Sequence, residues 1–317
     1  MVRFIVRRLL VMIGLLIVIS MFTFAMFVLV LPNGNPAALL AGRLATPAEV
    51  HLIDVRYGFN QPIYIQYVDT MKNIFTGQAY SYQSGFNVLS EIRAGMPATL
   101  SLAIGAGIIW LATSILFGTI AAVKAGKYAD RVLTVLSMIG VSMPPFFFGA
   151  VLIYYVAYKL NIIPIGGYVP LTQSVGGWFG HLIAPWITLS ILFIGFYSRV
   201  LRSSILDSIN EDYVRTARAK GLSERQVLIR HSLRNSLIPI FSLWGLDFAQ
   251  VIGGGAILTE TVFNLHGVGE LARDSIGRLD TITLMAIVIL TGIAVVVIGA
   301  LVDVLVAFLD PRIRLQA

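Results

Sequence analysis

Apolar residues run along this chain in uncharged stretches of about twenty, separated by shorter polar segments. Because a hydrocarbon core about 30 Å thick takes roughly 20 residues of helix to cross, each stretch predicts a membrane-spanning helix. Six are legible, at approximately residues 9–31, 96–123, 132–158, 181–198, 238–258 and 281–309. The first follows Arg3, Arg7 and Arg8, as in a secretory signal. Its apolar stretch, however, is about twice a signal's length and no small-residue cleavage site follows, so it reads as a retained anchor. Pro144 and Pro145 fall inside the third stretch and must break its hydrogen-bond ladder, either as a packed kink or as a gating feature.

Two polar segments add to this pattern. Residues 32–95 carry turn punctuation (PNGNP), scattered charge and several tyrosines. Within them PAEVHLIDVRYGF and YIQYVDTMKNIF are amphipathic and predict short helices packed on the bundle as a small subdomain. The second segment, Glu211 to Asn235, reads EDYVRTARAKGLSERQVLIRHSLRN. Asn210 predicts an N-cap with Glu211 and Asp212 at the positive end of a helix, and Lys220 followed by Gly221 predicts its cationic last turn and C′ glycine. Ser223, three residues before Gln226, predicts a capping box that opens a second helix. On the first helix Tyr213, Thr216, Ala217 and Lys220 fall on one face, flanked by Arg215 and Arg218. A topogenic loop, a lipid-headgroup anchor and a docking knob are all open readings. Two capped helices exceed what topology requires, and small residues suit a protein groove better than a lipid surface, which favours docking.

Composition agrees with a bilayer protein: 57% of the 317 residues are apolar, only 12% are charged, and the mean hydropathy is +0.84. The absence of cysteine excludes a disulfide framework, a thiolate nucleophile and a thiolate metal site. The net charge of +7 reads as a topology signal before it reads as nucleic-acid binding. With both termini in the cytoplasm, sixteen of the 23 basic residues lie inside and seven outside, so the positive-inside rule favours that orientation and makes the Glu211–Asn235 segment cytoplasmic.

Soluble chemistry finds no home here. There is no phosphate-binding G-x-x-x-x-G-K-[ST] loop, since Gly126-Lys127 is followed by Tyr128 and lacks the upstream glycine, and no H-E-x-x-H pair or nucleophile elbow. His51, His181, His231 and His266 are scattered and read as loop or interfacial residues. Polar groups within the spans carry more weight, because an ionised carboxylate at mid-bilayer is costly unless it faces water or a partner. Asp247 lies near the middle of the fifth span with Gln250 three residues on, either lining a cavity or closing an interhelical hydrogen bond. Gly253, Gly254 and Gly255 beyond it form either a hinge or a close-packing patch.

The wording YVRTARAKGL, followed by RHSLRNSLIP, resembles the coupling motif of ABC importer permeases in the form carried by the dipeptide and oligopeptide permease branch. Registered on Gly221, Arg215, Thr216 and Ala217 occupy the motif's Glu-Ala-Ala positions, and His231, Leu233 and Arg234 its closing Ile-x-Leu-Pro region. The motif's glutamate, isoleucine and proline are absent, while the spacing from Gly221 to Leu233 is kept. LPNGNPAALL, departing at Asn33 to Asn35, together with YGFNQPIYIQY, VLSEIRAGMPATLSL and the stretch from Gly253 to Asp280, is similar to the same branch, so the resemblance covers essentially the whole chain.

The resemblance implies an all-α integral membrane subunit with six transmembrane helices. Residues 1–31 would form the N-terminus and first helix, 32–95 an external subdomain, 96–309 the permease core and 310–317 a cytoplasmic tail. A coupling hairpin, residues 207–237, would lie between the fourth and fifth helices. Its Tyr213, Val214, Arg215, Thr216, Ala217, Arg218, Ala219, Lys220, Gly221 and Leu222 would fit a groove of an ATPase subunit. The implied function is ATP-driven import of di- or oligopeptides through the cell membrane, with a second permease, ATPase subunits that bind ATP and magnesium, and an external binding protein. The chain itself would hold no cofactor and catalyse no bond chemistry. Asp247, Gln250, Gly253, Gly254, Pro144 and Pro145 would line the translocation path. Nickel chelates or glutathione are alternative cargoes within the family. Outside it, a proton-coupled transporter using Asp247, Glu260 or Asp303, or a membrane scaffold, remains open.

Overall fold

A computed structural model describes residues 2–29, 36–42 and 45–309. Asn33 to Asn35, the 310–317 tail and the Asp303 side chain lie outside what it describes. The described residues are helical apart from their connections and one antiparallel bridge between Tyr80 and Asn87. Five helices are long and apolar enough to cross a membrane, and a sixth crossing is available if one bent helix pair counts as a single span. The chain forms two compact units, Met1–Pro97 with His266–Val297 and Ala98–Leu265 with Ile298–Ala317.

The first unit contains α1 (Val2–Leu29), α2 (Pro36–Ala41), α3 (Pro47–Tyr57), α4 (Ile63–Thr76), the start of α5 (Val88–Val123), and two later segments described below. The two amphipathic stretches between the first and second spans form α3 and α4. Helix α3 starts at Thr46, whose backbone N–H donates to Glu49 Oε2 at 2.7 Å while its hydroxyl accepts from the Glu49 N–H, a reciprocal cap. Helix α4 packs on α1 through an edge-on contact of Phe24 with Tyr67, ring centres 5.4 Å apart, and a 2.7 Å hydrogen bond between the Ser20 and Tyr67 hydroxyls. Tyr57, Phe59 and Tyr82 form an edge-to-face cluster, and burial, together with nearby Tyr57 and Asp280, pushes the Tyr82 hydroxyl up to about 12. Asp280 is buried and accepts from Ser81 Oγ and Thr283 Oγ1, both at 2.6 Å, tying the loop before α5 to the start of the last helix.

The second unit contains the rest of α5, then α6 (Tyr128–Ser142), α7 (Pro145–Lys159), α8 (Val175–Ile209), α9 (Asp212–Ala219), α10 (Glu224–Gly255) and α11 (Ile257–Phe263). Helix α12 (Val268–Arg278) and the first part of α13 (Thr281–Leu309) belong to the first unit. The third predicted span is not one kinked helix: α6 and α7 meet at 99°. Two residues in succession, Met143 and Pro144, precede a proline and both are extended (φ −91°, ψ 120° and φ −61°, ψ 128°). Proline excludes the helical region for its predecessor, so a double proline stops the helix and starts another instead of bending it.

Helices α6 and α8 interlock closely. Asp130 receives the Arg202 guanidinium at 2.6 and 2.7 Å, and the Ser137 and Ser198 hydroxyls bond at 2.9 Å. A Cβ on Gly140 would sit 2.9 Å from the Ile191 carbonyl oxygen, and one on Gly195 would clash with the Ser137 carbonyl. Glycine at both crossings lets the backbones approach, the way helices associate where no hydrophobic force separates them from lipid.

Candidate functional site

Helix α9 and the turn after it fold largely on themselves. Asn210, expected as the N-cap of α9, instead closes α8, its N–H donating to the Asp207 and Ser208 carbonyls, and Glu211 becomes the N-cap without a side-chain bond. The helix ends in a Schellman turn: Gly221 N–H donates to Arg218 O at 2.9 Å and Leu222 N–H to Ala217 O at 3.4 Å, with Gly221 at φ +80°. Ser223 N–H and hydroxyl both donate to Gln226 Oε1, at 3.2 and 3.1 Å, and open the next helix as expected. That second helix is not a separate arm. It continues through a widened π turn at Leu228–Leu233 into the fifth span, so α10 is one 32-residue rod.

The expected face of α9 is corrected by its packing. Val214 and Ala217 are buried and form a small cluster with Val227 and half-buried Leu222, whereas Tyr213, Thr216 and Lys220 are exposed. Ala217 therefore faces inward, packed with Val214 and with Leu222 and Val227 beyond the turn. Tyr213 shares a 2.7 Å hydrogen bond with Ser208, Thr216 Oγ1 donates to Asp212 O at 2.9 Å, and Arg215 reaches Asp212 at 3.4 Å. Arg218 grips Glu224 across the turn at 2.9 and 3.2 Å. The outward surface is thus Asp212, Tyr213, Arg215, Thr216, Arg218, Ala219 and Lys220, a polar ridge on an apolar peg. Neither Val227 nor Glu224 was singled out in the sequence, although an apolar residue at the end of the second capping box was the available signal.

The polar groups of α10 lie on a different feature. Tyr197 on α8 is fully buried and donates its hydroxyl to Asp247 Oδ2 at 2.6 Å. Phe193 and Phe196 both meet Tyr197 edge-on, while Trp244 stacks on Phe248 with centres 5.1 Å apart and donates its indole N–H to the Gly107 carbonyl at 3.0 Å. Asp247 is half-buried, while Pro239, Leu246, Gln250 and Gly253 are exposed and fall along one open face of the helix. Gly254 adopts φ +134°, ψ −7°, a conformation reserved for glycine, and ends α10 just before α11; its backbone conformation requires glycine there. Pro144 and Pro145 belong to the α6–α7 break. Glu260 on α11 is fully buried and accepts from Thr99 Oγ1 at 2.7 Å. Among the described residues no three His, Cys, Asp or Glu side chains gather closely enough to hold a metal ion.

Comparison with known proteins places this geometry. Residues 114–315 match the family described as binding-protein-dependent transport system inner membrane component, and residues 1–103 match its N-terminal companion. The chain is 38% identical over 312 residues to a protein of Sinorhizobium fredii named "Probable peptide ABC transporter permease protein y4tP", covering 98% of this chain and 99% of that one. It is 34% identical to the oligopeptide transport system permease protein AppB of Bacillus subtilis, covering 99% and 100%. It is 33% identical to the di/tripeptide transport system permease protein DppB of Pseudomonas aeruginosa, covering 100% of each. In three dimensions it resembles a chain of the MetNI methionine ABC transporter with a TM-score of 0.57 and 16% identity, over 70% of this chain and 97% of the other.

Proposed function

Because the chain belongs to the binding-protein-dependent transport system inner membrane component family, we propose that it is the permease subunit of an ATP-driven peptide importer. It is a multi-pass inner-membrane protein and not an enzyme: ATP hydrolysis lies in partner subunits. Both termini are cytoplasmic, residues 32–95 form the external subdomain, and residues 96–309 form the core. The core pairs with a second permease, while ATPase subunits holding ATP and magnesium dock from the cytoplasm and an external binding protein delivers cargo.

The observation that carries the coupling reading is the self-packed α9. Its apolar residues are satisfied by Leu222 and Val227, so the exposed ridge from Asp212 to Lys220 keeps its shape without a membrane or a partner. Such a ridge transmits force when gripped, because α9 is joined to α8 by two residues and to the α10 rod by the Gly221 turn. Closure and opening of the ATPases would then rock α8 and α10 and switch access to the open face of α10. The relatives' names support peptides over nickel chelates or glutathione as cargo.

Reconstitution with the ATPases and binding protein in liposomes tests this reading. Peptide uptake is expected to require ATP and to persist when the proton gradient is collapsed. Uptake that survives ATP depletion but fails without the gradient would favour a proton-coupled carrier instead.

A further inference from the structure

An anion inside a span normally pairs with a cation or faces water. Among the described residues no basic side chain pairs with Asp247. The two arginines of the neighbouring α8 are engaged elsewhere, Arg199 with the Gly195 carbonyl at 3.2 Å and Arg202 with Asp130. What holds Asp247 is a neutral donor, the buried Tyr197 hydroxyl, which fixes one carboxylate oxygen and leaves the charge uncompensated. One turn along α10 from Asp247 lies the exposed amide of Gln250, and Phe196, which meets the Tyr197 ring edge-on, is 41% exposed. A carboxylate held by a neutral donor, without a basic partner and beside an exposed amide, suits an organic ammonium, which it can meet through a charge-assisted hydrogen bond.

We propose that Asp247, oriented by Tyr197, is a cargo-contacting site for a primary ammonium group, namely the free amino end of a peptide or a lysine side chain, as it passes the open face of α10. The inference rests on the reading of that face as the translocation path and adds its ligand chemistry. The missing counter-cation is supplied by the cargo, transiently, so passage is favoured without a trap of full ion-pair strength. Tyr197 is a positioning residue: it presents the carboxylate but does not touch the cargo.

The chain has no cysteine, so Gln250→Cys introduces a unique thiol beside Asp247. In the assembled importer this thiol would be reacted with a trimethylammonium-bearing methanethiosulfonate and with a sulfonate-bearing one. The cationic reagent is expected to be favoured by about tenfold or more with Asp247 present, and the preference to collapse when Asp247→Asn is added. In parallel, Asp247→Asn is expected to slow uptake of a neutral-side-chain tripeptide about tenfold, Asp247→Glu to recover much of it, and Tyr197→Phe to fall between. No cation preference at the introduced thiol, whether because the carboxylate is neutral or because the partner permease supplies a cation, overturns the site even if the Asn variant fails to assemble. Slower uptake with an unchanged reagent preference reduces Asp247 to a structural role and also overturns it. An unreactive thiol at position 250 instead refutes the path reading on which the site depends.

Discussion

Valine at position 221 perturbs the turn after α9 and almost nothing else. A Cβ on Gly221 would meet no atom within 4 Å, so the substitution has no steric cost within the chain. The cost is conformational: Gly221 sits at φ +80°, and a left-handed backbone costs an L-residue about 1–2 kcal/mol, more for a β-branched one. Against this stands a small anchor. Val214 and Val227 are fully buried, at about 1.5–3 kcal/mol each, with Ala217 and Leu222 adding less. The strain therefore consumes a large share of what holds α9, and at a factor of ten per about 1.4 kcal/mol it lowers the population of the docked turn roughly five- to thirtyfold. Asparagine, which tolerates the left-handed region, should cost only a few tenths of a kcal/mol, about what separates it from glycine at such caps. The assay is recovery of the ATPase subunits with the permease from detergent-solubilised membranes, alongside ATP-driven uptake. Recovery should rank Gly and Asn first, Ala next and Val last. If Val matches Gly, the turn is not under backbone control; if Asn is as damaging as Val, a partner's surface rather than the φ angle makes glycine necessary.

Other substitutions follow from the packing. Arg202→Ala strands the buried Asp130 carboxylate without its two guanidinium bonds and should lower the unfolding temperature of the purified subunit, at about 1.5–3 kcal/mol per lost charged hydrogen bond, with Asp130→Asn milder. Gly195→Leu drives a side chain into the α6 backbone and should cost at least the 1–3 kcal/mol of ordinary overpacking in the same melting experiment, whereas Gly176→Leu, with open space around it, should be neutral. Ala217→Glu would bury a carboxylate in the α9 peg and loosen the element itself. Ala219→Glu, on the exposed ridge, should leave the subunit's melting unchanged while reducing ATPase recovery. Asp280→Ala removes the acceptor shared by Ser81 and Thr283 and should destabilise the first unit by about 1–2 kcal/mol, read as faster hydrogen exchange across the loop before α5 and the start of α13.

The spans were legible because lipid imposes a single requirement, apolar length, that a sequence displays directly. Runs corresponding to α1, α5, α8, α10 and α13 are visible for that reason alone. The capping signals at Gly221 and Ser223 were legible too, since each is a local hydrogen-bond arrangement with a fixed residue spacing. Where the sequence misled, the deciding partner was distant or the rule was applied once when it applied twice. Pro144 and Pro145 were expected to break the ladder of the third span, as a packed kink or a gating feature, but two pre-proline residues in succession force a restart. Ala217 was grouped on one face with Tyr213, Thr216 and Lys220 because its helix alone was considered, and the apolar groups that bury it, Leu222 and Val227, lie beyond the turn. The Asp130–Arg202 and Tyr197–Asp247 bonds join residues 72 and 50 positions apart, and no local pattern announces them.

The ridge on α9 can be interrogated directly, because any cysteine placed there is the chain's own first. Thr216→Cys and Ala219→Cys in the assembled importer should each form a disulfide with a cysteine on the ATPase surface, at a rate that changes between nucleotide-free and ATP-bound states, while Val214→Cys, facing inward, should not. If neither exposed position reaches the ATPase in any nucleotide state and ATP-driven uptake still proceeds, α9 is not the handle by which the chain is driven.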